Sequence, residues 1–180
     1  MMAVPALLFV TGASGAGKTA AVRALEARSL PGVRCYYFDD VGVPGPDEMI
    51  REYGSGDAWQ AAMTSHWVRR LVAEPVDVAV LDGQARPSVI RVVLAGAGPV
   101  TAQVALLDCS FDERARRLAG PRGQPELATA QMSAWAAYLR GQADALELPV
   151  VDTTGRSIAA VTDALAVEVE RLRAIRDRAV

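Results

Sequence analysis

Residues 12–19 read Gly12-Ala13-Ser14-Gly15-Ala16-Gly17-Lys18-Thr19, and Lys18 is the only lysine among 180 residues. The run satisfies G-x-x-x-x-G-K-[ST], the pattern of a loop that wraps phosphate. Lysine suits the position because its ammonium is a compact charge on a flexible stem, whereas a guanidinium is a rigid planar fork. The glycines let the backbone curl so that successive N–H groups point inward at phosphate oxygens. Thr19 is placed to offer its hydroxyl to Mg²⁺. Such a loop has to follow a buried strand and open a helix. Upstream, Ala6-Leu7-Leu8-Phe9-Val10 is a continuous apolar run, as expected of a strand covered on both faces of a parallel sheet. Downstream, Thr19 to Arg28 is rich in good helix formers. There Val22 and Leu25 can face inward while Arg23, Glu26 and Arg28 face water. The start of that helix, Thr19-Ala20, adds its partial positive charge to the anion site.

The length is that of one ordinary domain. An apolar content of 51% with 22% charged residues indicates a globular chain. A net charge of −2 predicts no basic footprint for nucleic acid. Cys35 and Cys109 fall in or beside apolar strand candidates; buried free thiols are the expected state, with a disulfide or metal pair as the alternative. Met1 to Val10 has the apolarity of a signal peptide but no basic n-region, and cleavage after it would destroy the phosphate loop. No segment approaches the length of a membrane span. The expectation is a cytoplasmic protein without a membrane partner.

Five apolar segments read as strands: Ala6 to Val10, Val33 to Phe38, Val76 to Leu81, Ala102 to Leu107 and Leu148 to Val151. Helical patterns alternate with them. Asp57 to Ala73 opens on a capping aspartate, and Pro87 to Ala95 follows the third strand. Ser110-Phe111-Asp112-Glu113 is a capping box at the head of a short Arg-rich helix. Pro125 and Glu126 open a longer helix carrying Met132, Trp135, Leu139 and Leu146. The last helix, from Ser157, places Ile158, Val161, Leu165, Leu172 and Ile175 on one stripe. Trp59 and Trp67 share one amphipathic helix and are expected to pack in the core; His66, the sole histidine, reads as an ordinary helix residue. Alternation of strands and helices predicts a three-layer α/β fold with a parallel sheet of about five strands. Ligands then gather at the carboxyl ends of the strands.

Those strand ends are rich in candidates. Asp39 and Asp40 follow the second strand. The third ends in Leu81-Asp82-Gly83-Gln84-Ala85-Arg86, and a carboxylate at the tip of an apolar strand beside a phosphate loop is positioned to hold Mg²⁺. The residue after Asp82 is glycine, not the glutamate that would activate water in an ATPase. Asparagine is absent from the chain, so an Asn-Lys-x-Asp guanine-reading motif cannot exist, and there is no ABC-type signature segment. These exclusions point to phosphoryl transfer onto a bound small acceptor.

In these features the chain resembles the small P-loop kinases: nucleoside monophosphate, shikimate and gluconate kinases and chloramphenicol phosphotransferase. The resemblance spans nearly the whole length. Gly12 to Thr19 is its specific part. Asp82 to Arg86 is similar to the D-G-x-x-R segment of monophosphate kinases, with Ala85 where they have proline. Val150-Val151-Asp152-Thr153-Thr154-Gly155 is similar to the segment near the adenine in these kinases. Arg114, Arg116, Arg117 and Arg122 sit where the family carries its lid.

The resemblance implies a single P-loop NTPase domain over residues 1–180, with an acceptor-binding insert at about 41–72 and a short lid at about 114–125. ATP would be held by Gly12, Ala13, Ser14, Gly15, Ala16, Gly17, Lys18, Thr19 and Ala20, and by Thr153, Thr154 and Gly155. Mg²⁺ would be held by Thr19 and Asp82. Arg116, Arg117 and Arg122 are the candidates to cover the transferring group, each also readable as a solvated surface arginine. Asp39 or Asp40 would take the proton of an attacking hydroxyl, with Asp39 nearer the strand end. The acceptor would meet Asp39, Arg51, Gln60, Asp82 and Arg86. Paired carboxylates favour a hydroxyl-bearing acceptor, whereas Arg51 and Arg86 stand where monophosphate kinases hold an acceptor phosphate. The expected activity is ATP- and Mg²⁺-dependent phosphorylation of a small molecule. The alternatives are a nucleoside monophosphate kinase, a regulatory protein that binds nucleotide without a small acceptor, and a kinase of nucleic-acid ends, which the acidic composition disfavours.

Overall fold

The computed structural model describes residues 4–179; Met1 to Ala3, part of the stretch weighed as a signal peptide, lie outside them. Strand β1, Ala6–Thr11, is buried along its whole length. Because successive side chains point to opposite faces, it feeds two apolar layers. Ala6, Leu8 and Val10 pack with Val22 and Leu25 of α1 (Lys18–Ala27) and with Val161, Leu165, Val169 and Leu172 of the last helix (Ile158–Ala179). Leu7 and Phe9 pack on the other side with Trp59, Trp67, Val68 and Leu71 of the helix Gly56–Leu71 and with Ile90 of the helix Pro87–Gly96. Each large side chain so buried contributes roughly 1.5–3 kcal/mol.

The other strands are β2 (Val33–Tyr37), β3 (Val78–Asp82), β4 (Ala102–Asp108) and β5 (Val150–Asp152). In chain order the helices are α1, α2 (Pro46–Tyr53), α3 (Gly56–Leu71), α4 (Pro87–Gly96), α5 (Phe111–Ala119), α6 (Ala130–Ala145) and α7 (Ile158–Ala179). All strands are parallel, in the order β2-β3-β1-β4-β5. Register sets Asp82 level with Val10 on one side and Tyr37 on the other. The carboxyl ends of the three strands thus form one rim. No helix among the described residues is long and apolar enough to cross a membrane. Both cysteines are buried free thiols, and the tryptophans Trp59 and Trp67 lie in the core.

Several element ends differ from the sequence expectation. Ser55, not Asp57, caps α3, its Oγ accepting from the Ala58 N–H at 3.0 Å; a hydroxyl one residue before the helix reaches the orphan donor, and a carboxylate inside the first turn does not. The box at α5 is half made. Ser110 Oγ accepts from Glu113 N–H, but the Ser110 N–H donates to Thr154 and the Glu113 carboxylate turns to Arg116 and Arg117. Pro125 opens only a 3₁₀ turn to Leu127, and α6 starts afresh after Thr129, whose Oγ1 accepts from Met132 N–H. On α7 the buried stripe includes Val169, whereas Ile158 is 56% exposed and Ile175 46%.

Candidate active site

The loop between β1 and α1 is fixed by close contacts. At Gly12 the backbone has φ 151°, and a Cβ there would stand 2.2 Å from the Leu107 carbonyl oxygen. The loop therefore seats directly on the end of β4. Lys18 is folded into it, 6% exposed, with Nζ donating to the Ala13 carbonyl at 3.0 Å. Burial lowers its pKa to about 8, against the attraction of Asp82. Beside it Thr19 Oγ1 donates to Asp82 Oδ2 at 2.6 Å. Asp82 is 6% exposed, and its Oδ1 is buried without a hydrogen-bond partner. Burial pushes its carboxyl pKa up, Lys18 opposing.

The donor set at this point suits Mg²⁺. A hydroxyl and a carboxylate supply hard oxygens, and the orphan Oδ1 is an acceptor awaiting a cation. Among the described residues no group of three or more His, Cys, Asp or Glu side chains could cage a metal. Mg²⁺ keeps several waters and takes phosphate oxygens, so one carboxylate is enough.

Two cavities meet at Lys18 and Thr19. The larger, about 710 Å³, runs from Gly15, Gly17 and Ala20 past Arg116, Arg117 and Arg122 to Thr153, Arg156, Ile158 and Val161. The smaller, about 200 Å³, is bounded by Tyr37, Phe38, Asp39, Asp40, Asp82, Gly83 and Gln84, with Lys18, Thr19, Arg23 and Arg122 on the shared side. Asp39 and Asp40 lie on a 3₁₀ turn, Phe38–Val41, that ends β2. A side chain at residue 83 would press on Phe38, with Cβ atoms 2.8 Å apart, so glycine lets this turn close over the rim. Asp39 is near enough to act on the charges of both Lys18 and Asp82.

The arginines expected of a lid are not equivalent. Arg117 is tied down: Nη1 donates to Thr153 Oγ1 at 2.9 Å, Nη2 to the Thr153 carbonyl at 2.6 Å, and Nε to Glu113 at 2.7 Å. Thr153 Oγ1 in turn donates to the Ala16 carbonyl at 3.0 Å, so Arg117 and Thr153 brace the loop from behind. Arg116, 65% exposed, pairs among the described residues only with Glu113. Arg114 is buried against Asp108 and the Cys109 carbonyl. Arg122 borders both cavities, its Nε donating to Gln124. Thr154 and Gly155 lie outside both cavities, and Thr154 Oγ1 accepts from the Ser110 N–H at 2.9 Å.

Gln60 and Arg86 pair beside the smaller cavity without lining it. Gln60 Oε1 accepts from the backbone N–H and Nη1 of Arg86, each at 3.1 Å. Arg86 Nη2 meets Asp57 at 2.7 Å, and its guanidinium lies 4.9 Å from the centre of the Trp135 ring. Gln84, unremarked in the sequence, donates from Nε2 to Ser14 Oγ at 3.0 Å and so touches the loop. Arg51 is not brought to the rim; it is 69% exposed on α2 beside Glu52. Arg23 and Arg156 border the cavities and were also missed, since arginine on a solvated helix face or turn carries no signal of what it overlooks. Ile158 was expected in the core stripe and instead walls the larger cavity.

No protein-family model matches the chain, and no curated protein matches it. Its architecture is nonetheless that of the P-loop small-molecule kinases. The gluconokinase of Sinorhizobium meliloti superposes with a TM-score of 0.63 at 20% identity, over 95% of each chain. The shikimate kinase of Acinetobacter baumannii, solved with shikimate, gives 0.60 at 13% identity over 93% of this chain and 94% of that one. The thymidylate kinase of Candida albicans gives 0.59 at 15% identity over 96% and 95%.

Proposed function

We propose that this chain transfers the γ-phosphoryl group of ATP to a hydroxyl of a small molecule, with Mg²⁺ as cofactor. One observation carries the reading: Lys18, Thr19 and Asp82 stand where a nucleotide-sized cavity joins a second, smaller one that presents carboxylates. In the larger cavity the loop amides and Lys18 hold the β- and γ-phosphates, and the nucleoside lies toward Arg156, Ile158 and Val161. Thr19 and Asp82 would hold Mg²⁺, whose charge would offset that of the phosphates. The acceptor enters the smaller cavity, between the turn after β2 and the tip of β3; the segment 41–72, expected to form the acceptor pocket, does not line it. Its oxygen attacks the γ-phosphorus, the proton passes to the Asp39 carboxylate, and the bond to the ADP oxygen breaks. Arg122, which overlooks both cavities, stabilises charge on the transferring group, and Arg116 can join it when the 114–125 segment closes. ADP release measured across a panel of hydroxylated acceptors tests this. ATP binding with no acceptor-dependent release would favour a regulatory protein instead.

A further inference from the structure

Resting on that reading, we infer that Arg23 is a catalytic residue, holding the γ-phosphoryl group of ATP at the mouth between the two cavities. Arg23 lies one helical turn beyond Thr19 on α1, at an i+4 spacing that sets both on one face. Long side chains on a helix lean toward its N-terminus, which here is the phosphate loop. Arg23 accordingly borders both cavities, as do Lys18, Thr19 and Arg122. Arg116 and Arg117 border the larger one alone.

The guanidinium is positioned but unpaired. Its carbon lies 5.8 Å from the centre of the Tyr37 ring, at the end of β2. Glu26 stands at i+3 from it, where a helix offers arginine an ion pair, yet accepts instead from the Tyr37 hydroxyl at 2.8 Å. That bond anchors the ring against which the guanidinium rests. Among the described residues Arg23 makes no ion pair, either with Glu26 or with Asp39 and Asp40 of the smaller cavity. A cation–π contact engages the charge and no N–H donor, so those donors are free for phosphate oxygens. As the acceptor oxygen bonds to phosphorus and the bond to the ADP oxygen breaks, the phosphoryl group moves toward the smaller cavity. A cation that borders both cavities stays in reach of it from start to finish.

Calorimetry with ATP and with ADP, Mg²⁺ present, tests this without any acceptor. Arg23→Gln should bind ADP within about twofold of the parent and ATP about tenfold more weakly, the loss of one charge-assisted contact to the third phosphate. Arg23→Lys should fall between the two, keeping the charge but not the fork. Both variants should give the parent's circular dichroism spectrum, since the side chain is exposed and pairs with no carboxylate. Equal weakening of ATP and ADP in Arg23→Gln, or parent-like affinity for both, overturns this inference and leaves the kinase reading standing. A parent that binds neither nucleotide overturns both.

Discussion

Thr19 Oγ1 and Asp82 Oδ2 lie 2.6 Å apart, joining the first turn of α1 to the tip of β3. The contact leaves Asp82 Oδ1 buried and unpartnered, an acceptor that the proposed Mg²⁺ would satisfy. Asp82→Asn should lose the Mg²⁺ dependence of nucleotide binding, with turnover down on the order of 10²-fold or more. Its metal-free melting temperature should hold or rise, because a carboxylate whose pKa is raised by burial destabilises the fold at neutral pH. A melting temperature well below that of the parent would contradict the strain assigned to this carboxylate.

Lys18 links stability to pH in the opposite direction. Its amine titrates near 8 in the folded chain against an ordinary 10.5, so the unfolded chain holds the extra proton between those values. Stability of the nucleotide-free protein should therefore rise with pH across that window. Phosphates restore the charge, and ATP binding at about pH 9 should take up a proton, visible by calorimetry in buffers of different ionisation enthalpy. Lys18→Ala should abolish turnover, remove the uptake and leave the circular dichroism spectrum intact.

Asp39, which acts on the charges of both Lys18 and Asp82, is the base proposed above. Asp39→Asn should retain ATP binding and lose transfer by on the order of 10²–10⁴-fold. A loss of that size in Asp40→Asn with Asp39→Asn near normal would reverse the assignment.

Arg117 and Arg116 are adjacent in sequence but should behave differently. Arg117→Ala removes two bonds to Thr153 and should cost about 1.5–3 kcal/mol of stability in denaturant titration. Arg116→Ala removes one exposed pair and should change stability by less than about 0.5 kcal/mol. Its effect, if it closes over phosphate, belongs in kcat.

Gly12→Ala sets a Cβ against a backbone carbonyl at 2.2 Å, where nothing flexible can yield. A loss above about 3 kcal/mol, or failure to accumulate folded protein, is expected. Parent-like stability would mean that the loop is not held on β4 as described.

The sheet and the turn that joins β1 to α1 were legible because their signals are local. A strand buried on both faces is an unbroken apolar run, and the loop's glycines and lysine are contiguous. Asp82 could be placed because a strand tip is one residue from its own pattern. The fate of Arg86 was not legible. Its partners Gln60 and Trp135 come from other helices, and only the packed fold brings them together. The cap of α3 and the start of α6 failed for a related reason: several polar residues near each end could cap, and only the backbone geometry selects Ser55 and Thr129. Helix α2 is eight residues long and has no fully buried residue; Met49, Ile50 and Tyr53 are too few to announce it, although Met49 packs against the core.

Strand β1 lies mid-sheet, with β3 on one side and β4 on the other, whereas β2 is an outer strand. Amide hydrogens of residues 6–11 should accordingly exchange only on global opening. Whatever grips the loop that β1 carries then raises the melting point of the whole molecule. An acceptor leaning on the turn after β2 would register as slowed exchange confined to that margin, so the two occupants can be told apart by where protection falls.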